Sequence, residues 1–213
     1  MMELTLIQKI TVSAIPIIFA ITVHEASHGY AAKYFGDFTA EKMGRITLNP
    51  IKHIDPIGTI LLPALTLMLG GILFGWAKPV PVNFANLNNP KKDMLWVAAA
   101  GPASNFIMAI FWVLVLKYSA SAPEVAAFFL LEMSKVGIMI NLVLMVLNLL
   151  PLPPLDGGRI AVSLLPMDLA MKFSQIERYG FIILIALLFT GILGKIISPM
   201  IDFFARLILS IFA

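Results

Sequence analysis

An all-α, polytopic membrane fold is the prediction from the sequence, and three observations carry it. Of 213 residues, 60% are hydrophobic and 13% charged, with a mean hydropathy of +0.93, whereas an average soluble domain is about 25% charged. Four apolar runs, residues 6–34, 94–117, 125–150 and 181–197, are of the length that a bilayer crossing requires, roughly 20 residues. The polar stretches between them are too short to fold as separate units, so residues 1–213 are expected to form one membrane-embedded domain.

The first run opens after only Glu3 and Lys9 and continues into Ile21-Thr22-Val23-His24 without a small-residue cleavage site, so it reads as a retained span. A further apolar run, 57–74, is interrupted by Pro63 and by Gly70-Gly71. It leads into Trp76 to Lys92, where Pro79 and Pro81 predict extended backbone rather than helix. The segment 57–84 is therefore expected to be a partial or re-entrant span. The last apolar segment, 200–212, carries Asp202 and Arg206 and is short for a crossing.

Charge placement supports the re-entrant reading. Lys33, Lys42, Arg45 and Lys52 flank one side of the 57–84 segment and Lys78, Lys91 and Lys92 the other, while Arg159, Lys172 and Arg178 follow the span ending at residue 150. Basic loops stay in the cytoplasm, so all of these belong on one face only if 57–84 enters and leaves on the same side. The end of the first span and the stretch Leu155-Asp156-Gly157-Gly158 then share the cytoplasmic face of the cell membrane. A formal charge of +3, from 15 basic and 12 acidic residues spread along the chain, is too dilute for a nucleic-acid surface. The absence of cysteine excludes disulfides and thiolate metal ligands.

The chemistry centres on His24-Glu25-Ala26-Ser27-His28 within the first span. Residues four apart on a helix project from one face with Cβ atoms ~5–6 Å apart, so both imidazoles can reach one zinc ion. A catalytic zinc takes three protein ligands and keeps one position open, and an acid beside the first histidine can serve as general base. A carboxylate such as Glu25 is expensive within an apolar span unless it functions. The bland alternative is that His24 and His28 pack between helices and Glu25 pairs with a lysine. His53, in a polar stretch, reads as a loop or interface residue.

For a third ligand the acidic residues near spans are Glu132, Asp156, Glu177 and Asp202. Asp156 is the best candidate, because Pro151, Pro153 and Pro154 break the helix before it and Gly157-Gly158 permit close backbone approach. Broken helices at membrane depth are where polar sites are built. The alternative for Asp156 is an N-cap of a helix starting at Gly157. Asn105 and Asn148 are amides at membrane depth that must find partners. Substrate backbone or a developing oxyanion is one possibility, and bonding between helices is the other.

A histidine-glutamate-x-x-histidine span followed by Asn148-Leu149-Leu150-Pro151-Leu152-Pro153-Pro154-Leu155-Asp156-Gly157 resembles the site-2 protease family of intramembrane metalloproteases, as does Gly101-Pro102-Ala103-Ser104-Asn105. The resemblance implies a three-helix catalytic core carrying the regions of His24, Asn105 and Asp156, with flanking spans and a re-entrant extended loop. It implies one zinc held by His24, His28 and Asp156, and Glu25 activating water to cleave a membrane-anchored protein in or near its transmembrane segment. It also implies that Asn148 faces the site. The stretch Gly75 to Asn83 corresponds to the family's re-entrant loop and could offer an edge strand to an unwound substrate. The PDZ and CBS domains of many relatives find no room here, which leaves selection to the core, to accessory regulators or to prior trimming of the substrate, and an oligomer is compatible with each. The competing function is a metal or ion transporter using the same His, Glu and Asp cluster, although transporters more often show repeated halves and the chain has no internal repeat.

Overall fold

The structure, a computed structural model, describes residues 5–61 and 75–212. It is helical: α1 (Leu6–Tyr34), α2 (Thr39–Lys42), α3 (Pro90–Ser119), α4 (Glu124–Asn148), α5 (Asp156–Leu164), α6 (Met167–Ser174), α7 (Glu177–Phe189) and α8 (Ile192–Phe212). Single turns of 3-10 helix lie at Pro50–His53 and Phe84–Asn86, and one wide π-type turn at Pro56–Leu61. No strand occurs among the described residues. Residues 62–74, the middle of the segment 57–84 expected to be re-entrant, lie outside them.

Among the described residues, three helices are each long and apolar enough to cross a membrane, over Ile7–Tyr34, Pro90–Ser119 and Glu124–Asn148, and the bent pair Glu177–Phe189 and Ile192–Phe212 is so when taken together. At ~1.5 Å per residue each exceeds the ~30 Å of a hydrocarbon core. α1 begins with a capping box in which Thr5 and Gln8 satisfy each other's backbone N–H groups. It ends at Gly36, whose φ of 103° is a left-handed conformation costly for residues with a side chain. α3 and α4 approach closely because the Trp112 indole lies flat on Gly137, where any Cβ would collide with the ring. Val113, Leu142 and Val146 fill the layer beside it, and Ile201 and Ile208 of α8 close it from outside. The three long helices α1, α3 and α4 form the expected core.

The run 181–197, expected as one span, is divided between two helices. Gly191 adopts φ 71°, and α7 and α8 meet at a bend of 83°. The short segment expected at 200–212 is instead the second half of α8, which has 21 residues from Ile192. The continuous hydrophobicity across Thr190-Gly191 conceals the turn, and a glycine in left-handed backbone produces it.

After α4 the chain folds back through Pro151 to Pro154 and starts α5. Gly157 and Gly158 rest directly on the backbone of Leu149 to Pro153, with no room for a Cβ at either position. Gly180 of α7 meets the Pro153 carbonyl oxygen in the same way, so the turn leading to Asp156 is enclosed by backbone on two sides. Lys91 Nζ donates to Leu165 O, tying the start of α3 to the end of α5.

Candidate metal centre

His24 and His28 stand one turn apart on α1 with ring centroids 4.8 Å apart and planes at 85°. Asp156, the first residue of α5, directs Oδ2 to within 3.3 Å of both Nε2 atoms. It does not cap its helix: Leu155 is the N-cap residue, and no side chain makes a capping bond there. The three residues form a group able to hold a metal ion, with ligand atoms within 4.8 Å of one another. The rings can approach α3 because residue 101 is glycine; a Cβ there would stand 2.5 Å from His28 Nε2 and 2.6 Å from His24 Cε1.

Hydrogen bonds behind the cluster assign the imidazole protons. His28 Nδ1 lies 2.7 Å from Val97 O, an acceptor only, so Nδ1 carries the proton and donates it. His24 Nδ1 lies 2.6 Å from Asn105 Oδ1. The Asn105 amide donates to Asn141 Oδ1 at 2.9 Å and to Ala20 O at 3.4 Å, and Asn141 Nδ2 donates to Gly137 O at 2.8 Å. Its oxygen is thereby left to accept from His24 Nδ1–H. With both rings neutral, the form that binds a metal, both Nε2 atoms then present lone pairs, 3.1 Å apart, to a buried Asp156 Oδ2 that has no hydrogen-bond partner. Three converging lone pairs with no proton between them repel one another unless a cation joins them. The donor set of two imidazoles and one carboxylate suits zinc.

Glu25 lies beside this centre, and its Oε2 accepts the Val80 N–H at 2.8 Å. Val80 belongs to the stretch 75–83, which is neither helix nor strand and pairs with no strand among the described residues. Polar groups of the preceding loops fix it instead. Trp76 N donates to Gly58 O and Lys78 N to His53 O, Arg45 Nη2 donates to Lys78 O and Pro79 O, and Asn83 N donates to Asp37 Oδ2. The Trp76 ring meets Phe181 of α7 edge-on at 5.4 Å.

Asp37 is fully buried. Burial opposes its ionisation, but hydrogen bonds from the Thr39 hydroxyl, the Asn83 amide, the Asn86 side chain and the Thr39 amide outweigh that effect. They hold its pKa below the usual carboxylate range.

The structure thus brings His24, His28 and Asp156 together, with Glu25 adjacent and Asn105 directly behind His24. Asn105 is fully buried with both amide hydrogens engaged, which places it behind His24 and leaves it no donor for a substrate. Asn148 donates to Leu144 O at 2.9 Å; it has no other hydrogen-bond partner among the described residues. His53 is a buried loop residue bonded to Thr47 O. Asn141, Asp37 and Arg45 were not among the residues expected at the site, and Gly101 and Val80 were read only as members of the stretches 101–105 and 75–83. Asn141 carried a signal, since it is a second amide on the same apolar helix as Asn148, seven residues away. Gly101 and Asn105, one turn apart, carried another.

Comparison with known proteins agrees with this chemistry. A profile of peptidase family M50 matches residues 120–191, which include Asp156. The chain is 44% identical over 203 residues to YwhC of Bacillus subtilis, a proposed zinc metalloprotease, covering 93% of this chain and 90% of that protein. It is 32% identical over 182 residues to Rip2 of Mycolicibacterium smegmatis, also a proposed zinc metalloprotease, covering 84% of this chain and 66% of that one. No solved structure matches the chain significantly.

Proposed function

Because the chain belongs to peptidase family M50 and is a multi-pass zinc metalloprotease, we propose that it hydrolyses a peptide bond in or near the transmembrane segment of membrane-anchored proteins. This is the chemistry of regulated intramembrane proteolysis, carried out toward the cytoplasmic side. The observation that carries the reading is the convergence of His24 Nε2, His28 Nε2 and the unpartnered Asp156 Oδ2 beside Glu25, on helices long enough to span a bilayer. In this reading His24, His28 and Asp156 hold the zinc. Bound there, zinc supplies Lewis-acid polarisation of the scissile carbonyl and of the attacking water.

The remaining work falls to the chain's own residues. Glu25 takes a proton from the water and returns it to the leaving amine. Its Oε2 is occupied by the Val80 N–H, so Oε1 is the oxygen that receives the proton. Asn105 and Val97 keep the protons of His24 and His28 on Nδ1, so that both Nε2 atoms stay available as ligands. Asn148, with an amide hydrogen and its carbonyl to spare, binds substrate backbone or the developing oxyanion.

Helical substrate must unwind to expose a peptide bond. The stretch 75–83 lies next to Glu25, and its Val82 N–H and C=O have no hydrogen-bond partner among the described residues, which suits strand addition. The prolines at 79 and 81 keep it from pairing along its whole length. The basic residues Lys33, Lys42, Lys52, Lys78, Lys91 and Lys92 support the cytoplasmic orientation.

The test is to incubate purified wild-type and Glu25→Gln protein with a single-span membrane protein and to measure zinc in both. Zinc retained and cleavage lost is the expected result. Cleavage that survives the substitution removes Glu25 from the mechanism.

A further inference from the structure

Arg45 is 7% exposed, and no carboxylate lies within ion-pairing distance of it among the described residues. A buried guanidinium without a counter-charge is costly unless its donors are used. Its Nη2 donates to two consecutive carbonyls, Lys78 O at 3.0 Å and Pro79 O at 3.2 Å. The next backbone group along the chain is the Val80 N–H, which donates to Glu25 Oε2 at 2.8 Å.

Pro79 C=O and Val80 N–H are the two ends of one planar peptide group. The cation therefore holds the oxygen end of a rigid unit whose hydrogen end is held by the anion. Each charge polarises the amide in the direction that strengthens the other's hydrogen bond. The two ionic groups make no direct contact with each other and are joined by the peptide, while Arg45 Nε has no hydrogen-bond partner among the described residues. The unit is also fixed sterically. Val80 is buried against Gly29 of α1, where a Cβ would stand 3.2 Å from Val80 Cγ1 and 3.0 Å from Ile46 Cγ1. Lys78 N–H is bonded to His53 O on the side before it.

We infer that Arg45 is a positioning residue for Glu25: through the Pro79–Val80 peptide it holds one carboxylate oxygen and thereby fixes the other toward the reacting water. The inference rests on Glu25 being the base. It also gives the stretch 75–83 a second role besides any pairing with substrate, as the rigid part that links a loop cation to the proposed base.

The test compares Arg45→Gln, which keeps a donor and removes the charge, with Arg45→Lys, which keeps the charge on a single-point donor. Expected in Arg45→Gln are a kcat lower by about tenfold to a hundredfold, the scale of a small misplacement of a reacting group, with KM, bound zinc and thermal midpoint near wild type. Arg45→Lys should recover part of the lost kcat. Amide exchange at Val80, read in zinc-free protein labelled with 15N-valine, should be faster in Arg45→Gln than in wild type. Wild-type kcat in Arg45→Gln, unchanged Val80 exchange, a kcat loss matched by loss of zinc or thermal stability, or no recovery in Arg45→Lys would each overturn the inference. Glu25→Gln, assayed alongside, separates the two claims. If it still cleaves, Glu25 is not the base; if it is inactive while Arg45→Gln is fully active, only the role of Arg45 fails.

Discussion

Asn105 Oδ1 lies 2.6 Å from His24 Nδ1 and fixes which nitrogen of that ring carries the proton. The amide is itself oriented by Asn141 on α4, so one proposed metal ligand on α1 is set by a chain of side chains crossing all three core helices. Replacing Asn105 by Ala leaves His24 Nδ1–H and Asn141 Oδ1 without partners in a buried site. Zinc affinity, measured by competition with a chelator, should fall by about 10- to 100-fold, the usual effect of losing such an outer partner.

The close approach of α1 and α3 makes a second, steric prediction. Gly101→Val adds atoms where even a Cβ would be 2.5 Å from His28 Nε2. Both imidazoles must rotate away or the helices must part. The variant should retain its helical circular dichroism and bind little or no zinc.

How much of this was legible in the sequence follows from the kind of signal each residue carries. His24, Glu25 and His28 could be read because helical spacing alone puts the two histidines on one face, and Asp156 because prolines and glycines announce broken backbone around a rare intramembrane acid. Asn105 was legible as a residue in need of a partner, but the partner, His24, is 81 positions away and no local pattern names it. Arg45 was read only as part of the charge that sets orientation, since its acceptors are backbone carbonyls, which have no residue identity. The α7–α8 bend was hidden because hydropathy runs through it and only Gly191 marks the turn.

Asp37 gives a pH dependence whose sign can be worked out. Its folded pKa lies below the unfolded value, so the carboxylate contributes stability that is fully present above the unfolded pKa, about 3.9. That contribution is lost as pH falls through the folded pKa. The thermal midpoint of wild type should therefore exceed that of Asp37→Asn by a constant margin above about pH 5, and the margin should shrink below about pH 4. A margin that grows on acidification would mean that the carboxylate is not stabilised in the fold.

Gly180 of α7 has no space for a side chain against Pro153 O. Gly180→Leu must push α7 away from the turn that carries Asp156. Overpacking of this kind costs about 1–3 kcal/mol, and thermal unfolding in detergent should show a lower midpoint. Zinc content should also fall if the Pro153 turn moves with the helix.

The central claim is that Asp156 completes a zinc site with His24 and His28. Its most direct test is zinc per chain, measured by atomic emission on purified wild-type and Asp156→Ala protein after removal of loosely bound metal. The account predicts about one zinc in wild type, the stoichiometry of a single three-ligand site, and a large loss in Asp156→Ala with helical content preserved. Equal zinc in the two proteins, or wild-type protein that binds none, would contradict it.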